Sequence, residues 1–561
     1  MPRSLSELST FPSLGRLLPE YFVAHQSRSY GFAPSSRLVS EQNSAPNPKT
    51  AQPRQAPRLL AGILALVIAC SAALATALPV RAADTSSAAT LVRPHPGGKP
   101  WTGAEIARLH HRIDALMKAP AFRGAHVGLL AIDTVRGTQL YARNARDEFM
   151  PASNFKLIVG SASLEHLGTG FTFDTTVLAG GPITGGTLNG DLYLHGGGDA
   201  HLTAKDLDDA AAALAARGVK AVSGALITDA SYFDNQRYGF GWSWDDLPYY
   251  YAPVVTALEL DEGTVNIYMT PGPAVGAPVQ LRIDPESSAY RIENLLTTGP
   301  AGSKDTSNIV RPWNHPHTIE LTGTYPLGAK ESGDILPTVP NPERYAGDVF
   351  LRALNARGIT VQGGVQDGVT PPAATTLWVH HSEAMPKLMA DFWYPSDNLM
   401  GELFLKELGV VEGGTPGTDA HGEVLEKAFL RSVGVNPNTV TIADGSGLSS
   451  YDRITPYDLV RILQYDWRSP DRNVVLDALP VAGVRGTLKY AYLHTPAEFN
   501  VWAKTGSISH VRTVSGFVKT RSHGPVTFSF LVNDWMGGSR PKGYAALAKA
   551  RGAILSYLAM Q

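Results

Sequence analysis

The constraint that most narrows the fold is an interruption. The chain begins and ends in one style of pattern and runs in another between them. Residues 103–118 place Ile106, Leu109, Ile113 and Leu116 at helical spacing. VGLLAID (127–133) and TQLYARN (138–144) read as two strands of a hairpin, and a helix is predicted from near Ser153 to about Leu167. From about 170 to 345 short β-like runs alternate with glycine and proline, broken by one Ala-rich helix over 204–217. Helical patterns return over 341–358, 397–409 and 419–433. Strands follow near 500–505, 513–519 and 526–533, and a helix over 542–558 closes the chain. At 561 residues the chain exceeds one ordinary domain. The expected architecture is α/β (α+β): residues 103–170 and 346–561 form one domain, and residues 171–345 are a β-rich insert of one or two modules.

Upstream, residues 1–53 are rich in Ser, Pro, Arg and Gln and form an atypical leader. Residues 54–82 have the layout of an export signal: Arg54 and Arg58, an apolar run from Leu59 to about Val80, then Val80-Arg81-Ala82 before a cut after Ala82. A membrane anchor is the alternative for a run of this length. Residues 83–102 read as a linker. Cys70 is the only cysteine, so cleavage leaves no disulfide and no thiol nucleophile; its setting also admits a lipid attachment site. The composition is globular, with 43% hydrophobic residues and a net charge of −2. It lacks the basic excess of a nucleic-acid binder.

Three short motifs then line up in order. Ser153-Asn154-Phe155-Lys156 opens a helix, Ser396-Asp397-Asn398 opens another, and Lys504-Thr505-Gly506 lies on a strand. One S-x-x-K is expected by chance about once in a chain of this length, so the weight rests on the ordered set. The residue types suit nucleophilic catalysis. A serine hydroxyl needs a neighbour to take its proton. Residues i and i+3 of a helix share a face, which puts Lys156 beside Ser153. Lysine serves as that base only if burial or a second cation depresses its pKa, and Lys504 is the candidate cation. Ser396 is placed to relay a proton to the leaving amine, and Asn398 to orient Lys156 or hold a substrate amide. Thr505 can bind a terminal carboxylate. The backbone N–H groups of Ser153 and Ser507 are candidate oxyanion donors.

The set S-x-x-K, S-D-N, K-T-G resembles that of serine β-lactamases and penicillin-binding proteins. Further segments make the resemblance narrower: GDLYLHGGGDAHLT (190–203), GFGWSWDDLPYYYAPVVTALELDEGTVNIYMTPG (239–272) and DGSGLSSYDRITP (444–456). From about residue 103 onward the chain resembles the low-molecular-mass class C penicillin-binding proteins, the D-alanyl-D-alanine carboxypeptidase/endopeptidases. The long gap from Ser153 to Ser396 matches that family's large insert and fits class A β-lactamases poorly. The resemblance implies a transpeptidase-like catalytic domain with a central antiparallel sheet flanked by helices. It implies peptidoglycan stem peptides as substrates, β-lactams as covalent inhibitors, and an exported, periplasmic protein; it admits a homodimer. It makes Ser153 the nucleophile, Lys156 the general base, Ser396 the relay, and Asn398 and Lys504 catalytic. Thr505, Gly506, Ser507 and Asp397 fall on the substrate side. One position departs: the family loop reads DGSGLSR, and here Ser450 replaces the arginine, with Arg453 three residues on.

Other residues invite different chemistry. His110-His111, His315-Pro316-His317 and His380-His381 form no H-E-x-x-H pattern, so neither metal nor cofactor is expected. Gly196-Gly197-Gly198 lacks the G-K-[ST] of a phosphate loop. Trp242, Trp244 and Tyr249 to Tyr251 are expected to pack the insert against the catalytic domain. A β-lactamase-like hydrolase and a non-catalytic peptidoglycan-binding protein are the alternative functions.

Overall fold

The computed structural model describes residue 91 and residues 93–537 and 541–561. The leader (1–53), the signal segment (54–82), Cys70 and residues 83–90 and 92 of the linker lie outside the described residues.

Early and late parts of the described residues meet in one sheet. Its five strands run in the order Gln139–Arg143, His126–Asp133, Val526–Asn533, Val511–Val518, Val501–Ile508, every pair antiparallel. The middle strand, Val526–Asn533, is buried at every position, as a strand covered on both faces must be. On one face Phe528 and Phe530 pack with Leu109 and Ile113 of the Gly103–Met117 helix and with Leu547 and Ile554 of the Pro541–Ala559 helix. Thr102 and Glu105 form a capping box that starts the first of these helices. On the other face the Pro456–Arg468 helix brings Val460 against Leu130 and Ile132. The Lys156–Leu167 helix is buried from Lys156 through Leu164, the mark of an internal helix rather than an amphipathic surface one.

The insert has its own core, and it is larger than the sequence pattern suggested. Its main sheet orders the strands Val365–Asp367, Leu226–Asp229, Leu192–His195, Asp174–Ala179, Thr375–His381. One hydrophobic cluster runs from Val177 to Leu377 and joins this sheet to the smaller ones between Asn266 and Ile335. The helix Pro342–Ala356 contributes Tyr345, Phe350 and Leu354 to that cluster. A boundary at 345/346 would cut this core, so the insert closes after the Thr375–His381 strand. The helical periodicity over 341–358 was legible, but periodicity does not say which sheet receives the apolar face. Phe350→Ala is therefore expected to destabilise the insert by about 3–5 kcal/mol, read from a denaturant titration, with little effect on the catalytic sheet.

Candidate active site

The Ser153 motif lies where a strained turn enters a buried helix. Ala152–Asn154 form a short 3-10 turn, and the α-helix proper begins at Lys156. Ala152 sits at φ +47, in the left-handed region that non-glycine residues enter only under constraint. The constraints are visible. Thr513 donates from Oγ1 to the Pro151 carbonyl at 2.7 Å, and Asn154 donates from Nδ2 to the Lys504 carbonyl at 2.9 Å. The turn is thereby tied to the sheet. Gly506 makes the approach feasible, since a Cβ there would lie 2.7 Å from the Pro151 carbonyl oxygen and 3.0 Å from the Ser153 nitrogen.

Lys156 is fully buried, and its Nζ lies 3.2 Å from Ser153 Oγ. The ammonium also donates to Asn398 Oδ1 and to the Ser446 carbonyl, both at 2.5 Å. Asn398 is fixed from its other end, with Nδ2 donating to the Tyr251 carbonyl at 2.6 Å. Both ends of that amide are thus engaged with protein, which favours the orienting role over a substrate contact. Burial pushes the Lys156 amine down to about 8, against the opposing pull of Asp444, Asp397, Glu402 and Asp452. Desolvation, rather than a second cation, is the leading cause.

The second lysine has a separate partner. Lys504 is fully buried and donates to Ser396 Oγ at 2.7 Å and to the Thr505 carbonyl at 3.0 Å. Burial first, and then the charge of Lys156, holds it well below the ordinary lysine range. Ser396 sits at φ +70, so both hydroxyl-bearing turns are strained. Asp397, expected on the substrate side, instead caps the Asn398–Gly413 helix by accepting from the Met400 N–H at 2.8 Å. The cap thus falls on Asp397, leaving Ser396 free to meet Lys504.

Val501–Ile508 is the edge strand of the sheet. The Ala503 N–H donates outward, to the Pro480 carbonyl, at 3.0 Å. Alternation along the strand puts the N–H groups of Thr505 and Ser507 on the same outer edge. The Ser153 N–H lies in the 3-10 turn that leads into the helix, where N-terminal donors lack intrahelical partners. Thr505 and Thr487 share a hydrogen bond between hydroxyls at 2.6 Å.

The loop of residues 444–450 completes the site in a way its composition did not announce. Asp444 accepts from the N–H groups of Gly447 (2.6 Å) and Ser449 (2.8 Å), from Ser446 Oγ (3.0 Å) and from Trp242 Nε1 (2.8 Å). Buried Glu402 accepts from the Gly445 N–H at 3.1 Å. This bracing aims the Ser446 carbonyl at Lys156. Gly447 has φ +75, and a Cβ there would fall 2.2 Å from the Ala152 carbonyl oxygen. Gly447→Ala is expected to shift the serine turn, slowing acylation about 10-fold or more at a cost of about 1–3 kcal/mol in stability. Stopped-flow acylation and thermal unfolding would measure the two effects. Arg453 donates to the Ser450 and Asp452 carbonyls, so its guanidinium braces this loop. Of the aromatic group, Trp242 and Tyr251 serve the site directly, while Trp244 and Tyr250 are exposed.

These features, a five-stranded antiparallel sheet between helices with serine–lysine pairs at its edge, define a serine β-lactamase/transpeptidase-like fold. Comparison with known proteins narrows the class. Residues 109–551 match the D-Ala-D-Ala carboxypeptidase 3 (S13) family, and the chain belongs to that family. It is a low-molecular-mass class C penicillin-binding protein, a hydrolase of the D-alanyl-D-alanine carboxypeptidase type. It is 35% identical over 467 residues to the D-alanyl-D-alanine carboxypeptidase of Actinomadura sp. (strain R39), covering 81% of this chain and 86% of that one. It is 27% identical over 427 residues to D-alanyl-D-alanine carboxypeptidase DacB of Haemophilus influenzae, covering 76% and 88%. The crystal structure of penicillin binding protein 4 from the same organism superposes with a TM-score of 0.73 at 24% identity, over 80% of this chain and 99% of that one.

Proposed function

We propose that the protein is a serine-type enzyme that hydrolyses the D-alanyl bond of exported peptidoglycan stem peptides through an acyl-enzyme on Ser153. The observation that carries this reading is the buried Lys156 amine, 3.2 Å from Ser153 Oγ and depressed to about 8. Neutral Lys156 takes the hydroxyl proton as Oγ bonds to the carbonyl carbon. The resulting oxyanion meets the N–H groups of Ser153 and Ser507. As the C–N bond breaks, Ser396 Oγ passes a proton to the leaving amine and is resupplied through Lys504, 2.7 Å away. Water then attacks the ester, giving its proton to the Ser396–Lys504 pair, while Lys156 returns its proton to Ser153 Oγ as the acid leaves. Lys504 and Thr505 hold the terminal carboxylate of the substrate. Residues 509–510 are exposed and Thr505, Ser507 and Ile508 half-buried, so the strand end beside the proposed carboxylate site faces solvent. D,D-endopeptidase capacity is part of the same proposal. A β-lactam, presenting a strained amide and a carboxylate, acylates the same serine. The relative from Haemophilus influenzae has been solved in complex with a β-lactam, which supports this part of the reading. The apolar run from Leu59 to about Val80 supports export.

The test is release of D-alanine from a synthetic stem pentapeptide, with retention of activity on a cross-linked dimer. The pH profile is a second check. Only neutral Lys156 accepts a proton, so kcat/KM for acylation rises with pH to a midpoint near 8, well below that of a free lysine. Because Lys156 and Lys504 interact, the midpoint belongs to the pair. A midpoint above 10 would remove Lys156 as the base.

A further inference from the structure

Outside the catalytic contacts, three metal-ligating side chains converge from distant parts of the chain. His201, Glu262 and Asp397 each offer a ligand atom, and these atoms lie within 4.8 Å of one another. We propose that His201, Glu262 and Asp397 bind a divalent cation of the zinc class, which clamps the insert to the Ser396-Asp397-Asn398 motif. The sequence pointed to no metal, because the clustered histidines form no H-E-x-x-H pattern and no carboxylate lies at a ligand spacing to them.

The three groups are held in place by the backbone. Asp261 N–H donates to the Leu202 carbonyl at 2.9 Å and Glu262 N–H to the Ala200 carbonyl at 3.2 Å, fastening the glutamate's turn to the histidine's loop. His201 N–H donates to Asp199 Oδ1 at 2.9 Å. Asp397 is fixed by its cap and by its own N–H, which donates to the Phe392 carbonyl at 3.0 Å. Yet among the described residues neither the His201 ring nor the Glu262 carboxylate makes a hydrogen bond. His201 Nε2 lies 3.7 Å from Glu262 Oε1, too far for a hydrogen bond. It is close to the ligand–ligand edge of about 3.3 Å that a tetrahedral zinc site has with bonds of about 2.0–2.1 Å. The other ring nitrogen, Nδ1, faces Asp391 Oδ2 at 3.9 Å. That distance is also beyond a hydrogen bond, so Asp391 acts on the imidazole through its charge.

Charge and access agree. Glu262, Asp397 and Asp391 crowd one imidazole, and of these only Asp391 has a lysine partner, Lys387, at ion-pair distance. A dication offsets this repulsion. One imidazole with two carboxylates suits zinc, whereas calcium takes six to eight oxygens. The His201 and Glu262 side chains are 30% and 50% exposed, which leaves an entry path and room for water ligands. His201 and Glu262 belong to the insert, while Asp397 stands between Ser396 and Asn398.

The test is calorimetric titration of tag-free, metal-stripped protein with zinc chloride, paired with thermal unfolding. The expected result is one saturable equivalent and a rise in Tm on zinc addition. His201→Asn and Glu262→Gln are each expected to weaken that equivalent at least 10-fold and abolish the rise. Far-UV circular dichroism matching wild type would establish that the variants fold. No saturable equivalent in wild type overturns the proposal, as does an equivalent that survives both ligand variants. Neither readout depends on acylation, so the outcome is separate from the fate of the proposed reaction.

Discussion

Ser153→Ala is expected to lower D-alanine release by about 10⁴-fold or more while leaving the fold intact. The loss follows from chemistry rather than stability. In the proposed reaction the hydroxyl oxygen forms the new bond, and Ser396 is engaged with Lys504 and held on a different turn. The side chain of Ser153 is half-buried and contributes one hydrogen bond, to Lys156. Removing it costs at most about 1 kcal/mol of stability. Steady-state D-alanine assay alongside thermal unfolding separates the two effects. Residual activity near wild type would exclude Ser153 as nucleophile.

Lys156→Arg is expected to be nearly as severe, about 10³-fold in acylation. The pairing tests what Lys156 is for. A guanidinium preserves the charge that faces Asn398 Oδ1 and the Ser446 carbonyl, yet it does not deprotonate at working pH. Were the charge alone at work, arginine would restore activity. Lys156→Met removes charge and base together and leaves two buried acceptors unpaired, a cost of about 1–3 kcal/mol each. The account therefore expects Arg and Met to fail alike in acylation and to differ in stability. Measuring both rates and both unfolding midpoints distinguishes a base from an electrostatic anchor.

Much of the proposed site was legible because the proposed chemistry calls for particular residue types at short spacing. Ser153 and Lys156 share a helix face, and that was visible in four letters. The strands that carry Lys504 and close the sheet are runs rich in apolar and β-branched residues and were placed within a few residues. What stayed hidden was contributed by backbone or by distant chain. The carbonyls of Ser446 and Tyr251 hold Lys156 and Asn398, and a carbonyl has no signature in a sequence. Asp444 was noticed as part of a loop, but its four donors, one of them Trp242 from the insert, appear only when the insert docks. The helix Pro342–Ala356 shows the limit from another side. Its amphipathic stripe was evident, and its partner was a matter of topology. Asp397 is the sharpest case, because a residue inside a catalytic motif turns out to be a helix cap.

The most direct test of the central claim is an intact-mass time course of the protein mixed with a penicillin. The account predicts a single long-lived adduct of one drug per chain on Ser153, absent from Ser153→Ala. An adduct that clears within seconds while drug is consumed would mark a β-lactamase-like hydrolase. No adduct at all would contradict the account and leave a peptidoglycan-binding protein with an incompetent site.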